Sequence, residues 1–161
     1  MIVVSDTSPL NYLVLIQEIE LLPRLFAQVY VPPSVIAELA RLKTPDEVRV
    51  WAQSPPAWLS IAAPRVRLPS TTALGDGEAD ALSLAKELGI RDILIDERRG
   101  RKVAEREGLI ALPTLAVLER AAAENLLELR VAIDELQRTN FRLADAHVQA
   151  ALARDAARKG G

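Results

Sequence analysis

Met1-Ile2-Val3-Val4-Ser5-Asp6-Thr7-Ser8-Pro9-Leu10 opens the chain and sets its fold. Ile2, Val3 and Val4 are β-branched and apolar on consecutive positions, which suits a short strand buried on both faces. Ser5-Asp6-Thr7-Ser8 are turn formers. Ser8 followed by Pro9 reads as a cap and a proline at the first helical position, so a helix is expected to begin there.

Working outward, the alternation repeats. Leu10 to Leu25 reads as helix in two pieces meeting near residues 16–18, and Val29-Tyr30-Val31 as a second strand. Pro32-Pro33-Ser34 opens a helix with Val35, Ile36, Leu39 and Leu42 on one face. A short helix follows from Thr44-Pro45-Asp46-Glu47, stopped by Ser54-Pro55-Pro56. Leu59-Ser60-Ile61 is a weaker strand, with a proline-containing loop to about Thr72. Gly75-Asp76-Gly77 starts a helix whose inward residues are Ala81, Leu84, Ala85 and Leu88, closed by Gly89. Ile93-Leu94-Ile95 is a buried strand, Arg98 to Glu107 a helix closed by Gly108, and Leu109 to Leu112 a further strand. Thr114 is expected to cap the next helix. Helices near Glu128–Gln137 and Leu143–Lys159 follow, with residues 159–161 a frayed tail.

Continuous apolar strands that alternate with helices imply a parallel sheet covered on both sides. The expected fold is one three-layer α/β/α domain over residues 1–161, with helices of about 124–159 appended. Its 161 residues, half of them hydrophobic, suit one core rather than two. No apolar run approaches the ~18 residues of a membrane span, and the start lacks the parts of a signal peptide. The chain has no cysteine, which excludes disulfides, thiolate metal sites and a cysteine nucleophile. A cytoplasmic location fits these features.

Net charge is −2, yet residues 1–97 carry 8 basic against 13 acidic residues and residues 98–161 carry 12 against 9. Five of the later cations fall within Arg98–Arg106. A solvated helix face explains that cluster, as does an anion site beside a metal.

In a parallel sheet the strand C-termini share one rim, where ligands bind. Asp6 follows the first strand and Asp96 follows Ile93-Leu94-Ile95. Glu38 lies in the opening turns of the helix after Val29–Val31, and Glu78 in the first turn of the helix after Gly75, with Asp80 one step further. Each acid alone is explained by a turn or by the helix dipole. Together, crowded carboxylates repel one another unless a cation neutralises them. Oxygen-only donors favour a hard ion, Mg²⁺ or Mn²⁺. Such a site suits attack by water on a phosphodiester. Arg98, Arg99, Arg101 and Lys102 follow Asp96 on the same rim and suit a phosphate backbone. Ser5, Thr7, Ser8 and Asn11 flank Asp6 and can hydrogen-bond a carboxylate or phosphate, or simply serve as caps and turns. His147, the only histidine, reads as a surface residue. Trp51 and Trp58 bracket Pro55-Pro56 and pin that loop. With aromatics at 4%, no stacking platform of the single-strand-binding kind is present.

Four segments together resemble the PIN-domain family: residues 3–10, Val31-Pro32-Pro33-Ser34-Val35-Ile36-Ala37-Glu38-Leu39, Gly77-Glu78-Ala79-Asp80-Ala81-Leu82, and Leu94-Ile95-Asp96-Glu97. The nearest branch is one of small bacterial and archaeal PIN proteins known as a domain of unknown function, similar to the VapC-type toxin ribonucleases. The resemblance is strong over about residues 1–120. It implies a ribonuclease with acids around Mg²⁺ or Mn²⁺, an antitoxin partner where one is encoded, and a homodimer. Carried over by position, those acids are Asp6, Glu38, Glu78 and Asp96, with Glu97 as a possible extra. The third is Glu78 rather than Asp80 by its distance from Gly89. Thr114 matches the threonine of the branch's Gly-Thr pair, although Pro113 stands here for the glycine.

Other classes fit less well. Haloacid-dehalogenase-like phosphatases need a second Asp two residues after the first, where Ser8 stands. Phosphoacceptor receiver domains need a lysine at a strand end, whereas Lys102 falls inside a helix. The remaining alternative is a PIN-like binding module with little or no catalysis, acting in a protein complex.

Overall fold

A computed structural model of the chain describes residues 1–41 and 43–160. The strands are β1 (Ile2–Ser5), β2 (Gln28–Val31), β3 (Leu59–Ile61), β4 (Asp92–Leu94) and β5 (Ile110–Leu112). All pair in parallel, in the order β3-β2-β1-β4-β5. Val4 of the central strand is in register with Tyr30 on one side and Ile93 on the other. The chain builds outward from β1 through β2 to β3, then returns to build β4 and β5 on the other flank. The connections therefore diverge between β1 and β4, the switch point where open α/β sheets bind ligands.

Helices cover both faces: α1 (Thr7–Leu15), α2 (Leu21–Leu25), α3 (Pro33–Leu39), α4 (Asp46–Gln53), α5 (Asp76–Leu88), α6 (Arg98–Arg106), α7 (Thr114–Ala123), α8 (Leu129–Gln137) and α9 (Asp145–Gly160). Successive strand side chains point to opposite faces. Accordingly Val3 and Leu94 join the larger core with Leu13, Leu39 and Leu118. Val4, Ile93 and Ile95 join the smaller one with Leu82 and Leu84. The three-layer parallel architecture is the one expected. Trp51 and Trp58 lie 6.4 Å apart and pack against the larger core. Among the described residues no helix is long and apolar enough to cross a membrane.

Several local expectations are corrected. α1 begins at Thr7, with Asp6 in the capping position, so Ser8 is not a cap. Pro9 becomes the third helical residue and costs no hydrogen bond, because the first N–H groups of a helix have no partner within it. The break after α1 falls where expected, with Gln17 in the left-handed region at φ 61°. β4 starts one residue early, at Asp92, though Ile95 still donates to the Leu112 carbonyl. Leu88 is 43% exposed instead of inward. Gly89, at φ 69°, turns the chain so that Ile90 donates to the Ala85 carbonyl and fills the apolar slot instead. Thr114 is the first residue of α7 and makes no cap bond. α9 continues through Gly160. Leu42 and Gly161 lie outside the described residues.

Leu94 is fully buried at the centre of the sheet. Leu94→Ala is expected to lower the unfolding free energy by about 2–5 kcal/mol, read as a lower urea midpoint at unchanged slope.

Candidate active site

β1 delivers Asp6 to the rim, and its N–H donates to the Leu94 carbonyl at 2.9 Å, which locks it beside the end of β4. The side chain is 3% exposed, and its Oδ1 has no hydrogen-bond partner. Burial above all pushes the Asp6 carboxyl up to about 7. The Thr7 N–H opposes this, and repulsion from Glu78, Glu38 and Asp96 adds to it.

Glu38 sits in the last turn of α3 and not in its opening turns, because that helix has only seven residues. Its carboxylate accepts from Thr7 Oγ1 at 2.5 Å and from the Gly77 N–H at 3.0 Å. A Cβ at position 77 would lie 2.7 Å from Glu38 Oε2, so any side chain there would push this carboxylate from its place.

Glu78, the third residue of α5, is half-buried, and its Oε2 is enclosed without a partner. Burial raises its carboxyl, helped by Glu97 and Glu38 and opposed by the Gly75 N–H and Arg99. Gly100 makes its space: a Cβ there would lie 2.7 Å from Glu78 Oε2 and 2.5 Å from Ile95 Cδ1.

Asp96 is the most heavily bonded acid. Its Oδ1 accepts from the Thr114 N–H at 2.8 Å. Its Oδ2 accepts from Ser8 Oγ at 2.8 Å and Thr114 Oγ1 at 2.7 Å. Burial raises its carboxyl, while these bonds and the charge of Arg101 pull it down. Ser8 and Thr114 thus hold an acid of the rim: for Ser8 this is one of the two roles left open by the sequence, whereas Thr114 was expected as a cap.

Asp6, Thr7, Ser8, Asn11, Glu38 and Glu78 face one cavity of about 340 Å³, with Tyr12, Gly75 and Glu97 completing its wall. Sequence reasoning did not single out Tyr12, Gly75, Gly77 or Gly100 as site residues. Gly100 did leave a signal, because a glycine inside the run Arg98-Arg99-Gly100-Arg101-Lys102 weakens a helix unless close packing requires it.

The remaining candidates are placed elsewhere. Asp80 accepts from Ser34 Oγ at 2.6 Å and Arg67 Nε at 2.7 Å, off the cavity. Burial alone would raise its carboxyl, but these two bonds and the Arg67 charge carry it below the usual range. Arg98 and Lys102 are exposed on α6. Arg99 donates to the Ala73 carbonyl at 3.2 Å. Ser5 Oγ donates to the Asp6 carbonyl, and His147 is exposed.

Among the described residues, no three acidic or imidazole side chains converge tightly enough to enclose a metal ion. The chemistry of the donors still fits one. They are oxygen-only, they raise one another's proton affinity, and Asp6 Oδ1 and Glu78 Oε2 are buried with nothing to satisfy them. A hard divalent cation removes both penalties.

A family model described as a PIN domain matches residues 2–156. No curated protein matches the chain.

The raised Asp6 carboxyl sets the sign of a pH effect in metal-free protein. A group whose pKa is about 7 folded and 3.8 unfolded favours the folded state below about pH 4. That contribution, on the order of 4 kcal/mol, is lost as pH rises through about 7. In EDTA the melting temperature should therefore fall between pH 5 and pH 8, and Asp6→Asn should flatten that fall. Added Mg²⁺ or Mn²⁺ should raise it more at pH 8 than at pH 5. A profile that Asp6→Asn leaves unchanged would show that Asp6 is not the titrating group.

Proposed function

We propose, on the premise that this chain belongs to the PIN-domain family, that it is an endoribonuclease that hydrolyses RNA phosphodiesters with Mg²⁺ or Mn²⁺. PIN domains are in general nucleases that use divalent metal ions. The choice of RNA and of these ions is our own, as is a role as the toxin of a toxin–antitoxin pair, with a cognate antitoxin and a homodimeric state. The single observation that carries it is the pair of buried, unpartnered oxygens, Asp6 Oδ1 and Glu78 Oε2, on a rim shared with Glu38 and Asp96.

Asp6 and Glu78 would hold the ion, with Glu38 and Asp96 beside them. When bound, the ion supplies a Lewis acid that acidifies the attacking water and offsets the charge growing on the phosphate. The protein's own groups fix the geometry. Thr7 and the Gly77 N–H orient Glu38, while Ser8 and Thr114 orient Asp96, so neither carboxylate must be organised during the reaction. Water adds at phosphorus and the ribose oxygen leaves with a proton. α6 starts directly after Asp96 and carries Arg98, Arg99, Arg101 and Lys102, which supply charge for the phosphate backbone.

The absence of three tightly converging acids among the described residues favours a second reading, a binding module with little catalysis. One assay separates the two. Wild type should cleave a mixed-sequence RNA only with Mg²⁺ or Mn²⁺, and Asp6→Asn should reduce the rate by about 100-fold or more. Cleavage by neither protein would favour the binding module, and equal cleavage by both would overturn the nuclease reading at this site.

Gly100→Ala crowds both Glu78 and Ile95 without replacing an acid. The added methyl meets the Glu78 carboxylate, and a displacement near 1 Å is expected to cost about 100-fold in rate. Glu78→Gln should lower the rate by a similar factor, and an unchanged rate in that variant would remove Glu78 from the site. Light scattering at a dimer mass checks the oligomer, and growth inhibition on expression that Asp96→Asn relieves checks the toxin.

A further inference from the structure

Behind Asp96 lies a second cavity of about 320 Å³, between α7, α9 and the segment of residues 138–144 that joins α8 to α9. It shares walls with the acidic cavity at two points. Asp96 lines the second cavity and accepts a hydrogen bond from Ser8, which lines the first. Tyr12 lines the first and meets the ring of Phe141, which lines the second, edge to face at 4.7 Å and 83°. The Tyr12 hydroxyl also donates to Asn140 Oδ1 at 2.7 Å.

The chemistry of this cavity is opposite to that of the first. Leu115, Phe141 and Leu143 give it an apolar part, and Arg101 and Arg142 a cationic one, with His147 on the same wall. Arg154 is already paired in a fork with Glu119 at 2.8 and 2.9 Å. Arg101 and Arg142 form no ion pair among the described residues, and Arg101 Nε is buried without an acceptor. A buried guanidinium N–H lacking an acceptor calls for an oxygen from outside. One aromatic ring with apolar neighbours, beside two guanidiniums, matches one flat base with its phosphate. An acidic peptide matches less well, because it offers no flat ring to set against Phe141, Leu115 and Leu143.

We infer that this cavity is a nucleotide subsite, which takes the nucleotide adjacent to the scissile phosphate. Its phosphate sits on Arg101 and Arg142, and its base lies against Phe141, Leu115 and Leu143. Adjacency to a scissile phosphate rests on the nuclease reading above; binding of a nucleotide does not. The site therefore holds one base by stacking, whatever its identity, on a protein with few aromatics elsewhere.

The test uses the full chain carrying Asp6→Asn, titrated with AMP, UMP and inorganic phosphate and followed by NMR. Both nucleotides should shift the Arg101 Nε–H signal and the amides of residues 141–147. Arg142→Glu, an exposed position outside the core, should weaken that binding about tenfold or more. In the cleaving wild type, Arg142→Glu should raise KM for RNA about tenfold with kcat within about twofold. Absent shifts, or equal affinity for phosphate alone, overturn the subsite, as does a poly-glutamate peptide that binds more tightly than either nucleotide. Should wild type not cleave, the nuclease reading falls while the titration still decides the subsite. Should it cleave while Arg142→Glu changes neither KM nor binding, the subsite falls and the nuclease reading stands.

Discussion

A carboxylate removed from water must find a donor, a cation or a proton. Asp6 is almost wholly enclosed, one of its oxygens has no donor, and three other acids repel its charge. In the absence of a cation it leans toward the proton, with a pKa near neutrality. Much of the surrounding construction follows from this one stress. Glu38 and Asp96 are each held by two or more donors, so their positions do not relax away from Asp6. Relaxation would be the easy way to lower the repulsion, and the fold closes it off. A cation remains as the way to restore the charged form.

The sheet makes that stress unavoidable. Because β1 is central and its neighbours are parallel, the residues after β1 and β4 come out side by side. Asp6 is tied to the end of β4 through the Leu94 carbonyl, so its distance from Asp96 is fixed by backbone. Helices starting on the same rim bring Ser8 and Thr114 to Asp96. Two glycines then allow the glutamates to enter: Gly77 gives space to Glu38, and Gly100 gives space to Glu78. Neither glycine is needed for a positive φ, since both lie within helices. Their value here is the absent methyl, which accounts for a residue that otherwise costs a helix about 1 kcal/mol.

The parts of this arrangement legible in the sequence are those with short-range signals. Continuous apolar strands between amphipathic helices specify a parallel sheet, and a parallel sheet places Asp6, Glu78 and Asp96 on one rim. Other features depend on contacts between distant segments. Ser8 and Thr114 have the local appearance of caps, and only the approach of Asp96 shows that their hydroxyls bond a carboxylate. Leu88 continues the apolar stripe of α5, yet Ile90 fills the core because the turn at Gly89 brings it back. Glu38 was expected early in its helix, but α3 stops after seven residues. Asp80 and Glu78 are two positions apart, and in the sequence only the distance from Gly89 favours Glu78. The physical reason is Arg67, which claims Asp80 from a loop between β3 and α5.

The second cavity had still less local signal, since Phe141 and Arg142 lie some 45 residues beyond Asp96 in a segment without regular structure. Its importance comes from where it touches the first. Asp96 stands on the boundary, with Ser8 and Thr114 as donors and the charge of Arg101 beside it. An acid so placed separates a region that demands a cation from one that demands an anion. A phosphodiester chain carries its charge at regular intervals, and a metal-bearing cavity next to a guanidinium-bearing one suits two consecutive parts of that chain. On the proposed reading, the opposite signs of the two cavities belong to one substrate path. Asp96 keeps them distinct, because its carboxylate takes up the charge of Arg101 on one side and the Ser8 hydroxyl of the acidic cavity on the other.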